Sequence, residues 1–111
     1  MTIEYKSQTY RLATTNLTTT LTVNATTRTI IKEISISNTH NNTVDCDFYL
    51  NKTNGSAIFY HVKAAADSHD NAIHNTLVLE ESDYLTFKSS VSNVISGQIS
   101  YALLSRKNQN G

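Results

Sequence analysis

Along most of the chain, apolar side chains recur at alternate positions in short runs separated by clusters of Asn, Thr, Ser and Asp. A period of two marks strands with one buried face, and the polar clusters have the chemistry of turns. The alternation predicts strands at 8–13 (QTYRLA), 17–23 (LTTTLTV), 28–37 (RTIIKEISIS), 44–50 (VDCDFYL), 57–63 (AIFYHVK), 72–79 (AIHNTLVL), 84–89 (YLTFKS) and 95–104 (ISGQISYALL). Leu17, Leu21 and Val23 share one face of the second, and Ile30, Ile34 and Ile36 share one face of the third. Lys32 falls on that same face and is expected near a strand end or snorkelling to solvent. The clearest alternation puts Val44, Cys46, Phe48 and Leu50 in the core, with Asp45, Asp47 and Tyr49 outward. Ile58, Tyr60 and Val62 are expected inward, as are Ile95, Ile99, Tyr101 and Leu103, with Gly97 marking a bulge.

Between these runs, Asn38-Thr39-His40-Asn41-Asn42 and Glu80-Glu81-Ser82-Asp83 read as turns, and Asn54-Gly55 as a tight hairpin inside 51–56. Residues 64–71 (AAADSHDN) are the least strand-like stretch and are expected as a short helical turn or an irregular crossover. About eight strands at spacings of roughly 8 to 12 residues define an all-β fold, a single antiparallel β-sandwich of jelly-roll-like winding. The expectation is one domain over 1–111, with short polar terminal segments at 1–7 and 105–111 that lack a core of their own. Abundant Thr suits pleated strand surfaces, and Asn and Ser suit the turns. The absence of proline leaves edge protection to charged residues such as Lys32, Glu33, Asp45 and Asp47, or to neighbouring copies in an assembly.

Formal net charge is zero and only 16 % of residues are charged, so no electrostatic footprint for nucleic acid or an anionic membrane exists. No apolar run is long enough for a membrane-spanning helix, and the start MTIEYKSQTY lacks the form of a signal peptide. A lone Cys46 excludes an internal disulfide, which fits a chain made in a reducing cytoplasm.

Candidate chemistry is sparse. Four histidines are present: His40 in a turn, His61 in a strand, and His69 and His74 flanking a loop that also holds Asp67 and Asp70. Their spacing matches no established metal site, and solvated loop residues account for them. Asp45 and Asp47 share one strand face and form at most a weak calcium signal. Cys46, set among apolar alternates, is a small core hydrophobe and not a nucleophile. No Gly-x-Ser-x-Gly elbow or phosphate-cradling loop occurs, so the chain is expected to have no catalytic, cofactor-binding or metal-binding residues and to need no cofactor. Asn-x-Ser/Thr triplets at Asn16, Asn24, Asn41, Asn51 and Asn54 follow from composition. Tyr49 and Phe59, opposite their strands' core faces, are expected to approach across the 51–56 hairpin, as a sheet-stabilising pair or as a sugar-binding platform.

Residues 20–104 resemble a loose group of small β-sandwich proteins found among structural genes of tailed bacteriophages, notably marine ones. The resemblance is carried by LTVNATTRTIIKEISISNT (21–39), DFYLNKTNGSAIFY (47–60) and LVLEESDYLTFKSS (77–90). It implies a repeated, non-enzymatic part of a virion, a head decoration or neck/tail accessory protein, assembled in the host cytoplasm. The expected partners are other virion proteins and copies of the chain, with segments 1–9 and 104–111 as arms that order on contact. A carbohydrate- or receptor-binding module is the alternative.

Overall fold

Strands with alternating apolar residues and no helices to cover them can bury that face by packing two sheets together. The computed structural model describes residues 2–72 and 76–105, which form nine strands and no helix. The strands are β1 (Thr2–Leu12), β2 (Thr18–Thr22), β3 (Thr27–Asn38), β4 (Val44–Lys52), β5 (Gly55–Ala64), β6 (Ser68–Asn71), β7 (Leu77–Leu79), β8 (Tyr84–Ser89) and β9 (Ile95–Ser105). One sheet runs β1-β9-β3-β6, with β7 also on β3, and the other runs β2-β8-β4-β5.

Every pairing is antiparallel, and the pairs nest: β4 with β5, β3 with β6 and β7, β2 with β8, and β1 with β9. A long hairpin folded at the β4–β5 turn and then wrapped gives this order, which is the winding of a jelly roll. The expected sandwich is therefore present, with nine strands in place of about eight. The extra one is β6, formed within the stretch 64–71 that composition marked as irregular. Of the expected strand 72–79, β7 covers Leu77–Leu79, and residues 73–75 lie outside the described residues.

The core lies between the sheets. Phe48 and Phe87 are fully buried neighbours on β4 and β8, their ring centroids 4.5 Å apart. Tyr10 meets Phe87 edge-on from the opposite sheet at 5.0 Å. Val44 and Cys46 are fully buried on the face predicted, and Leu50 packs against the cluster.

Several expectations fail for local reasons. In β3, Ile31 pairs with Tyr101 and Glu33 with Ser100, which leaves Lys32 as the extra residue of a bulge. The buried set is therefore Ile31, Ile34 and Ile36, while Ile30 turns outward and Lys32 stands exposed in mid-strand. A second bulge makes Phe59 the extra residue of β5, since Phe48 pairs with Tyr60 and Tyr49 with Ile58. Ile58 is left exposed, and Leu17 is exposed ahead of β2.

Gly97 breaks no register, and its role is close approach: an added Cβ would strike the Ser35 carbonyl and come within 2.9 Å of Tyr10 Oη. Tyr10 Oη donates to that carbonyl at 2.6 Å, directly over the glycine. The β4–β5 hairpin closes one residue earlier than its Asn-Gly pair suggests, with Lys52 opposite Gly55 and Thr53-Asn54 between them. Gly55 takes a φ of 142°, which only glycine adopts readily.

Two buried polar side chains anchor the turns. Asn38 donates from Nδ2 to the carbonyls of Asn42 (3.1 Å), Ala64 (2.9 Å) and Ala65 (3.1 Å), and its Oδ1 accepts from His40 N. Asp83 accepts from Glu80 N at 2.9 Å and from Lys52 Nζ at 2.6 Å, fixing a turn in which Ser82 has a φ of 71°. The Asp83 hydrogen bond is the main cause holding the Lys52 ammonium above its ordinary pKa.

Within the segment expected as a polar terminus at 1–7, residues 2–7 are instead half a strand. β1 pairs with β9 without interruption from Thr2 opposite Ser105 to Leu12 opposite Ile95. Ser105 closes β9, and 106–111 lie outside the described residues.

Candidate functional site

The titratable groups of the described residues do not converge on a reaction centre. Among the described residues, no three His, Cys, Asp or Glu side chains come together in a metal-holding group. His69 Nδ1 is 3.0 Å from Ser37 Oγ, His74 lies outside the described residues, and His40 sits in the β3–β4 turn. Asp45 and Asp47 do share the outer face of β4, but each has a basic cross-strand neighbour on β5. Lys63 Nζ lies 3.0 Å from Asp45, and His61 Nδ1 contacts Asp47. Lys63 thus offsets the Asp45 charge, and the Asp47 carboxylate is engaged by the His61 ring.

Burial, with the Asp47 and Asp45 charges behind it, pushes the Cys46 thiol up to about 12. At neutral pH it is a protonated core side chain. Phe59 turns its ring to Phe48, at 6.3 Å between centroids, and packs against the core, so it does not stand with Tyr49 as an outer-face platform. Two of the Asn-x-Thr asparagines have structural work. Asn24 Oδ1 accepts from Thr26 N at 2.9 Å in a turn, and Asn51 Nδ2 donates to Thr86 Oγ1 at 3.0 Å.

The outer faces of the sheets differ in kind. On the β4–β5 sheet, Lys88, Asp47 and His61 form one cross-strand row, with Asp45 and Lys63 in another. On the other sheet the register aligns Tyr5, Ala102, Ile30 and Val78 across four strands, with Ile3 and Leu104 in a parallel row. Thr29, Leu79 and Tyr101 beside this row are buried inward, so the row itself faces outward. Tyr5 is 79 % exposed, Ile3 54 % and Val78 48 %, while Ile30 between them is half-buried and Ala102 is covered by its neighbours. Exposed apolar side chains gathered on one sheet face offer a contact surface. The bulge at Lys32 creates part of it by sending Ile30 outward, and β1 supplies its most exposed members. Period-two reading missed both.

A cleft of about 320 Å³ opens where the β1 and β2 edges approach, lined by Gln8, Thr20, Thr29 and Tyr101 among others. Gln8 Nε2 donates to the Thr20 carbonyl across it. The buried Thr29 hydroxyl has no hydrogen-bond partner.

No family model matches the chain, and no curated protein does. Among solved structures, it is similar to a chain of Bacillus endospore appendages, described as a family of disulfide-linked pili. The TM-score there is 0.52 at 11 % identity, over 92 % of this chain and 84 % of that one. Chains of infectious bursal disease virus also align. The Gx strain gives a TM-score of 0.43 at 11 % identity over 94 % of this chain, and the Gt strain 0.46 at 14 % over 97 %. This chain spans 33 % and 32 % of those two proteins.

Proposed function

We propose that the chain is a non-enzymatic structural component of a virus particle, a bacteriophage head decoration or neck/tail accessory protein that binds other virion proteins and copies of itself. The observation that carries this reading is the set of exposed apolar side chains Ile3, Tyr5 and Val78, with half-buried Ile30 between, on the outer face of one sheet, set against a polar outer face of Asp, Lys and His side chains on the other. A protein with one adhesive and one hydrated face is suited to lie on a lattice with its polar side to solvent. Repetition then lets weak individual contacts hold it there.

The sequence resemblance to phage structural proteins supports the same reading, as does a fold shared with a protein that builds pili. Those pili are disulfide-linked, whereas Cys46 is buried here and is not placed to make such a link. The test is to purify particles released by cells carrying the gene in its native genome and to quantify the protein across a density gradient. Copies banding with the particles are expected. A protein found only in the soluble fraction would remove the virion reading.

A further inference from the structure

Each sheet has two edges, and three of the four are blunted. β2 has five residues and a register shift between Thr19 and Leu21. The far edge of the larger sheet is divided between β6, with four residues, and β7, with three. β5 is bulged at Phe59 and carries His61 and Lys63. Short, bulged or charged strands resist pairing with another chain. β1 differs: its eleven residues run in unbroken register with β9, and none of the described strands pairs with its other side.

The exposed half of β1 is also self-complementary. Ile3 to Ser7 are all exposed, and among the described residues neither Glu4 nor Lys6 has an ion-pair partner. An antiparallel pairing of two β1 strands centred on Tyr5 puts Glu4 opposite the partner's Lys6 and Lys6 opposite the partner's Glu4. Opposite charges directly across an antiparallel pair stabilise it. The same register sets Tyr5 against the partner's Tyr5 and joins the two sets of exposed apolar side chains into one across the axis. We propose that two copies of this chain associate through their β1 edges in this Tyr5-centred register, giving one continuous sheet through both.

The contact is isologous, so it closes at two copies and leaves the remainder of each set for a further partner. It deepens the assembly reading by naming one contact, and it is testable in solution without particles. The intact chain is expected to sediment as a dimer that weakens as salt is raised. Lys6→Glu or Glu4→Lys alone places like charges opposite one another in both halves of the interface and should weaken the dimer about tenfold or more. The double variant Glu4→Lys with Lys6→Glu restores opposite charges and should restore the dimer.

Register is read separately by cysteine cross-linking. Tyr5→Cys puts two thiols across the axis with Cα atoms about 5 Å apart, within disulfide range, and should oxidise to a covalent dimer. Ile3→Cys and Ser7→Cys leave like positions roughly 13 Å apart and should not. These side chains are exposed, so the fold is kept, and circular dichroism of each variant checks it. A chain that stays monomeric, a double swap that fails to restore association, or cross-linking at 3 or 7 as readily as at 5 would each overturn the proposal. A monomer that still bands with particles refutes this contact alone, whereas a dimer absent from particles refutes the virion reading alone.

Discussion

Phe48 sits where both sheets press on one side chain. It pairs across strands with Phe87 and Tyr60, lies 5.8 Å from the Tyr60 ring centroid and has no solvent exposure. Phe48→Ala leaves a cavity that rigid neighbouring strands cannot close, and should cost about 3–5 kcal/mol of stability in urea denaturation. An unchanged midpoint would mean that Phe48 is not in the core. Its burial was legible because β4 alternates without fault from Val44 to Phe48. Asn38 was not legible in the same way. A turn asparagine in sequence became a buried anchor because its amide meets the carbonyls of Ala64 and Ala65, residues brought there only by the folded β5. Asp83 is similar, since Lys52 reaches it from a different hairpin. Partnerships of this kind depend on tertiary placement, and no local spacing announces them.

At the scale of the element, bulges decide which face each residue takes. Alternation read straight through β3 assigns Ile30 to the core, because a period of two has no way to record one unpaired residue. The structure accommodates Lys32 as that residue, and the inward set resumes at Ile34. Deleting Lys32 therefore leaves Thr27, Thr29, Ile31, Ile34, Ile36 and Asn38 at even spacing with their partners on β9 unchanged. The shortened chain should fold with a thermal midpoint within a few degrees of the parent. Deleting Ser35, which lies in regular strand, would instead turn Ile36 and Asn38 to the opposite face and should abolish cooperative unfolding. Equal behaviour of the two deletions in a thermal melt would reject the bulge. The same limit explains the misplacement of Ile58, which immediately precedes the bulge residue Phe59. It does not explain β1. There the polar run Glu4 to Ser7 has no buried face to reveal a strand, and only pairing with β9 defines it.

The whole molecule is a wrapped hairpin whose core includes the weak acids Cys46 and Tyr10. Burial raises both above their ordinary values, and Cys46 acts on Tyr10 in the same direction. A protonated acid with a raised folded pKa leaves stability unchanged below its unfolded pKa, because both states then hold the proton. Above that pH the unfolded chain ionises first, and stability falls until the folded pKa is reached. For Cys46 the window opens near the ordinary thiol value of 9.0 and closes at about 12. Tyr10 extends the loss to higher pH from its ordinary value of 10.0. Lys52 works in the same direction, since its raised pKa means that the Asp83 pair is lost only as the ammonium deprotonates at the top of the range. Urea midpoints should therefore be flat through neutrality and fall from about pH 9 upward. Cys46→Ala removes the thiol and leaves no ionisable group there, so whatever its overall loss of stability its curve should stay flat to about pH 10, where tyrosine begins to ionise. Parent and variant curves of identical shape between those values would show that Cys46 ionises alike in the folded and unfolded chains, and the thiol would then not be sealed between the sheets.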